Sequence, residues 1–226
     1  MRKFLLLLAV MSLILITASC QKPEEVTLSK YFQAMKIKDT QTLAAMATDP
    51  VAIEFKDWKL IKTEEPVIED ALLPQLVKQL DEAKAKRMEQ IQLIQEKKDL
   101  SDTLKTQISD SRSSRQKAEL KKQLDETDTA VITETEVFKK MQSDYNQLKN
   151  LVDYEKKLTT LSIGGITEHQ DLYTGKTSTV NAQINITTAA GDKEYIVVLK
   201  RYDLVNPVTN HNFSSRYLVL KFYPKQ

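Results

Sequence analysis

Three places in this chain gather residues that could do chemistry. His169, Asp171 and Tyr173 follow closely on the Gly164-Gly165 pair, His211 lies in a loop with Asn206-Pro207, and Ser178 and Ser215 are candidate nucleophiles. Acid–base work would need one of these groups buried beside a partner that tunes its pKa. Two His residues without ligand spacing do not make a metal centre. No nucleophile elbow surrounds either serine, and no phosphate-binding pattern follows the glycine pair. We read His169, Asp171, Tyr173 and His211 as solvated loop positions and expect no catalytic centre, no metal site and no cofactor. The one Cys, Cys20, rules out an intramolecular disulfide.

Charge excludes another class. Lys and Arg total 33 against 31 Asp and Glu, a formal +2. Arg2 and Lys3 supply that excess, and 31 of each sign remain without them. A neutral chain lacks the basic field that nucleic acid requires.

Arg2 and Lys3 precede an apolar run over residues 4–16, followed by Thr17-Ala18-Ser19-Cys20. A basic start, a short apolar stretch and small residues predict a secretory signal over 1–19. The run is shorter than the roughly 20 apolar residues that span a bilayer. Ala18-Ser19-Cys20 resembles the lipobox of bacterial lipoproteins, with Thr17 where Leu is usual. The resemblance implies cleavage before Cys20, acylation of its thiol and a membrane partner reached through the lipid, with residues 20–26 as the linker. Stable anchoring takes more than one acyl chain. Gln21 is similar to the residue that directs such proteins outward. The implied location is the bacterial cell envelope, on the periplasmic face of the outer membrane where there are two membranes. The alternative is ordinary signal cleavage that releases a free thiol.

The elements that would position any site follow from punctuation. All four Gly lie in the last third, and residues 75–163 contain neither Gly nor Pro. Aromatic residues are absent between Trp58 and Phe138, while six occur from Tyr195 to Tyr223. Over 27–65, Leu28, Tyr31, Phe32 and Met35 and then Leu43, Met46 and Ala47 follow helical spacing, with Asp39-Thr40 as a helix start and Asp49-Pro50 as a stop. Val51, Ile53 and Phe55 alternate, followed by Trp58, Leu60 and Ile61, which predicts a strand or bent strand pair.

Residues 66–157 are rich in Lys, Glu, Gln and Leu. A seam at Lys117, Leu120, Leu124, Thr127, Val131, Glu134, Phe138, Met141, Tyr145, Leu148, Val152 and Glu155 alternates three and four residues, as a coiled coil requires. The first half is looser: Leu73, Leu76, Leu80 and Ala83, then Met88, Ile91 and Ile94, then Leu100, Leu104 and Ile108. Apolar-free residues 109–114 separate the halves, and Ser113 with Gln116 forms a possible capping box. This predicts an antiparallel hairpin with its tip near 109–114 and arms of about 58 and 66 Å. One continuous helix would instead hold the flanking zones more than about 100 Å apart. Over 158–226, Val180, Ala182, Ile184 and Ile186 alternate, Tyr195 to Leu199 and Tyr217 to Tyr223 are β-prone, and Gly191 marks a turn. An earlier strand is expected near residues 158–166.

The helix–helix–strand order, a helical insert and an antiparallel meander resemble the NTF2-like (cone-shaped α+β) fold. The stretch Tyr31-Phe32-Gln33-Ala34-Met35-Lys36, then Lys38-Asp39 and Leu43-Ala44-Ala45-Met46-Ala47, is similar to that superfamily's opening helices. The resemblance implies an α+β body built from 27–65 and 158–226, with the hairpin of 66–157 inserted where the family has one short helix. It also implies a possible pocket for a small ligand inside the cone, lined by groups such as Tyr31, Trp58, Tyr195 and Tyr217. Periplasmic adaptor proteins, which also combine a lipid anchor, a hairpin and flanking β-domains, are a second resemblance, although their Gly-rich lipoyl turns are missing here. Arg112, Arg115 and Lys117 give the hairpin tip a positive cluster. The expectation is a non-catalytic scaffold or binding module that contacts an envelope protein partner. The alternatives are a small-ligand or weakly enzymatic cone and an adaptor-like part of a transport complex.

Overall fold

The computed structural model describes residues 22–164 and 169–225. Its elements are α1 (Pro23–Lys36), α2 (Thr40–Met46), β1 (Asp57–Thr63), β2 (Val67–Asp70), α3 (Leu73–Asp110), α4 (Ser114–Ile163), a 3-10 turn (Gln170–Leu172), β3 (Thr174–Thr188), β4 (Gly191–Val205), β5 (Asn212–Ser214) and β6 (Leu218–Pro224). They form two compact units. Residues up to Ala71 and from Lys156 onward make a mixed α+β body, and Leu72–Glu155 make a helical unit.

In the body, Pro23 opens α1 with the fixed φ of a first helical residue, and Glu24 and Glu25 complement the helix dipole. Lys38 turns the chain through a left-handed conformation at φ 58°. Asp39 then caps α2: its carboxylate accepts from the Thr42 N–H at 3.0 Å and the Thr42 hydroxyl at 2.6 Å.

The sheet is antiparallel, six-stranded and curled into a half-barrel. Its spine is the β3–β4 hairpin, paired from Thr174↔Val205 to Thr188↔Gly191. Two short strands cover each spine edge in tandem: β1 and β2 lie along β3, and β6 and β5 along β4. Register shifts at Leu60/Lys62 and Val198/Leu199 bend both edges.

Strand alternation gives the sheet two apolar faces. Val180, Ala182, Ile184, Ile186, Val197 and Leu199 form one core with Leu28, Tyr31, Phe32 and Met35 of α1 and with Leu43 and Met46 of α2. Phe55 packs against this same core, so the segments before and after the long helices share one interior. Tyr202, Leu204 and Leu218 point the other way and meet Ala71, Tyr173 and Leu158 of α4.

In the helical unit, α3 and α4 run in opposite directions. Gln90 reaches Glu134, and further along α3 Ser101 reaches Asp128, earlier in α4. Residues 111–113 link the helices. Ser113 Oγ accepts from the Gln116 N–H at 3.4 Å, but the Gln116 side chain accepts from Ser111 rather than reaching back to Ser113. All twelve expected seam positions of α4 are buried or half-buried, and nearly every other residue between them is exposed.

Four expectations need correction. The α3 seam is as regular as that of α4, but it passes through Arg87, Gln90, Lys97 and Ser101. Met88, Ile91 and Leu100 stand outside at 54%, 41% and 50% exposure. Apolar spacing missed this register because the middle of the seam is polar. Residues 51–55 do not form a strand. The Val51 N–H donates to the Tyr31 hydroxyl at 3.2 Å, and sheet pairing begins with the Lys56 N–H on the Thr187 carbonyl. Residues 67–70, read with the helical zone, form β2, whose side chains are all exposed and leave no apolar pattern. Residues 158–163 are helical, not a strand. Leu158, Thr159 and Ser162 prolong the buried spacing of α4, and burial of that stripe overrides the β-propensity of Thr159, Thr160 and Ile163.

Candidate functional site

Cys20 lies outside the described residues. The linker expected over 20–26 is shorter, because α1 already begins at Pro23. Only Gln21 and Lys22 separate Cys20 from the helix.

The four aromatic residues expected around a pocket are part of one solid core. Tyr31 is fully buried. Burial pushes its hydroxyl above the ordinary tyrosine value, with the Val51 amide pulling the other way. Trp58 stacks on Phe32 with ring centres 4.5 Å apart. Tyr195 leans on Phe222 at 5.0 Å. Tyr217 pairs its hydroxyl with that of Ser178 at 3.3 Å, under the Arg201 guanidinium.

Of the residues expected in solvated loops, His169 and His211 are exposed and Asp171 is half-buried, but Tyr173 is buried because the second face of the sheet packs on it. Ser162 and Ser215 share a hydrogen bond of 2.5 Å, and Ser215 Oγ accepts from the Tyr202 N–H at 2.7 Å. His169 sits in a left-handed turn at φ 54°. Phe213 lies between Tyr173, stacked at 5.2 Å, and His211, edge-on at 4.5 Å. Among the described residues, no group of three or more His, Cys, Asp or Glu converges.

Of the tip cations, Arg112 lies in the link between the helices and is exposed, as is Arg115 in the first turn of α4. Lys117 is half-buried at the first seam position.

The concave feature with the most distinct chemistry is on the outside of α1 and α2. Two adjoining hollows, each about 360 Å³, share Lys30, Met46 and Arg216. Arg216 Nη2 donates to the Ala45 carbonyl at 2.9 Å, near the end of α2 where helical carbonyls lack partners. The two cations suit a carboxylate or phosphate, and the Asp39 carboxylate, Gln33 and Thr42 share the lining with apolar Ala34, Ile37 and Val26. Sequence reading missed this groove because Lys30 and Arg216 are 186 positions apart and neither belongs to a motif.

No protein-family model matches the chain, and no curated protein or solved structure compared with it matches. No described helix is long and apolar enough to cross a membrane.

Proposed function

We propose that this chain is a lipid-anchored cell-envelope protein acting as a non-catalytic scaffold or binding module. Its body is an NTF2-like cone, and α3 with α4 is an antiparallel hairpin inserted into it. One observation carries this reading: helices of 38 and 50 residues, about 57 and 75 Å long, are held in register by specific side-chain bonds. Ordering so many residues costs on the order of 1 kcal/mol each in backbone entropy, a cost that small-molecule chemistry does not call for. The aromatic packing of Tyr31, Phe32 and Trp58 inside the sheet further favours a structural body.

The test is to replace residues 72–155 with a short Gly-Ser link in the native gene. Loss of the cellular phenotype with the body still folded supports the scaffold; an unchanged phenotype removes it. Labelling with a fatty acid analogue, lost in Cys20→Ser, tests the anchor separately.

The Lys30–Arg216 groove favours a second reading, capture of a small anion on the body. Calorimetry with a panel of short carboxylates and inorganic phosphate, repeated on Lys30→Ala, tests it. Absence of binding heat removes that reading.

A further inference from the structure

The two flanks of the α3–α4 pair differ. The flank positions just before alternate seam residues are Lys86, Leu93, Leu100 and Gln107 on α3 and Gln123, Ala130, Val137 and Asp144 on α4. They share one side of the pair: Leu100, Gln123 and Ala130 line a common hollow of about 330 Å³, with Lys97 and Glu126 at its edge. Leu93, Leu100 and Val137 are 36%, 50% and 40% exposed. The opposite flank carries Lys84, Lys98, Lys105, Lys121 and Lys149, with Met88, Ile91 and Ile132 scattered among them. Two of those lysines are tied to neighbouring carboxylates, Lys105 to Asp102 and Lys149 to Asp153.

In the middle of the pair the α3 side of the seam is largely polar, Ile94 excepted, although α4 keeps Val131, Phe138 and Met141 there. Arg87, Gln90, Lys97 and Ser101 occupy the seam, while leucines and a valine stand outside. A helix pair patterned this way buries its apolar residues by meeting further helices.

We propose that a second copy of this chain packs along the Leu93–Val137 flank, with both helix pairs pointing the same way around a two-fold axis parallel to the helices. The bonds Gln90–Glu134 and Ser101–Asp128 set which residues are level across the pair. By that register Leu93 is about level with Val137, Leu100 with Ala130, and Lys86 with Asp144. A two-fold axis along the helices lays α3 of one copy over α4 of the other. Leu93 then meets Val137, Leu100 meets Ala130, and Lys86 meets Asp144 in the second copy. The flank is self-complementary in both shape class and charge, as an isologous interface requires. The same operation on the opposite flank would set Lys105 against Lys121. This inference stands whatever the body binds.

Sedimentation equilibrium of the full chain in a density-matched detergent tests it. The expected protein mass is twice that of a single chain. Leu93→Glu/Leu100→Glu is expected to sediment as a monomer with unchanged helical circular dichroism. Lys86→Glu alone sets like charges together and is expected to raise the dissociation constant about threefold or more, and Lys86→Glu/Asp144→Lys to restore it. A parent chain that is monomeric at about 100 μM, in the range of weak association, overturns the proposal. So does a dimer indifferent to the leucine substitutions. If the leucine variant loses its helices, the charge pair decides, and identical constants for the parent, single and double variants overturn it.

Discussion

Gln90 of α3 donates its side-chain amide to two oxygens of Glu134 on α4, the backbone carbonyl at 3.1 Å and the carboxylate at 2.9 Å. Both residues sit on the seam, where a coiled coil would ordinarily bury leucine. A polar layer of this kind selects one register out of several that apolar contact alone would tolerate. Glu134→Leu should leave the amide short of an acceptor and cost about 1–3 kcal/mol. Gln90→Leu/Glu134→Leu should recover most of that, because two matched apolar groups replace a matched polar pair. Thermal melts followed by circular dichroism check both outcomes, and a costless single substitution would show that the bond does not set the register.

Phe32 ties four segments of the body together. Its ring stacks on Trp58 and meets Tyr31, Phe55 and Phe222 at centre distances of 5.8, 5.6 and 6.1 Å. Phe32→Ala should cost about 3–5 kcal/mol, a large share of a typical domain's stability. Trp58 is the only tryptophan, so urea unfolding read by its fluorescence reports this site directly. A midpoint close to that of the parent would contradict the assigned packing.

Gly175 and Gly191 both have positive φ but should respond differently. At Gly175, with φ 142°, an added Cβ would lie 2.2 Å from the Asp203 carbonyl oxygen. At Gly191, with φ 110°, nothing lies within 4 Å of that atom. Gly191→Ala should cost about 1 kcal/mol of backbone strain alone. Gly175→Ala should cost more, because β3 and β4 must also separate. Denaturant unfolding of the two variants side by side gives the order, and equal effects would refute the close approach.

Stability against pH should be limited at both ends by groups in the opening helices. The folded body raises the Tyr31 value, so its contribution is complete below the unfolded value near 10 and is lost as pH rises through the folded value. Tyr31→Phe should extend the alkaline limit, at the expense of the Val51 N–H partner at neutral pH. At the acid end, hydrogen bonds from Thr42, its side chain first, hold Asp39 below its ordinary value. Its contribution is present above the unfolded value and is lost as pH falls through the lowered one. Asp39→Asn keeps the cap and should flatten the acid limb. Trp58 fluorescence against pH checks both limits.

Sequence by itself determined the breaks between α1 and α2 and between α3 and α4, the α4 seam from Lys117 to Glu155, and the alternation of β3. Each of these is a local pattern: Ser113, Asp39 and Gly191 act on their own neighbours, and Val180 to Ile186 declare their buried face by period alone. Tertiary structure decided what local pattern could not. It chose a polar seam through Arg87, Gln90 and Ser101, because Phe138, Tyr145, Glu134 and Asp128 on the facing helix supply their partners. It kept Leu158 helical, because the second face of the sheet waits for that side chain. It brought Lys30 and Arg216 to one groove from nearly opposite ends of the described chain, and it packed Tyr31, Trp58, Tyr195 and Tyr217 against one core. In each case the deciding energy comes from contacts between residues far apart in the chain, which no window of neighbouring residues contains.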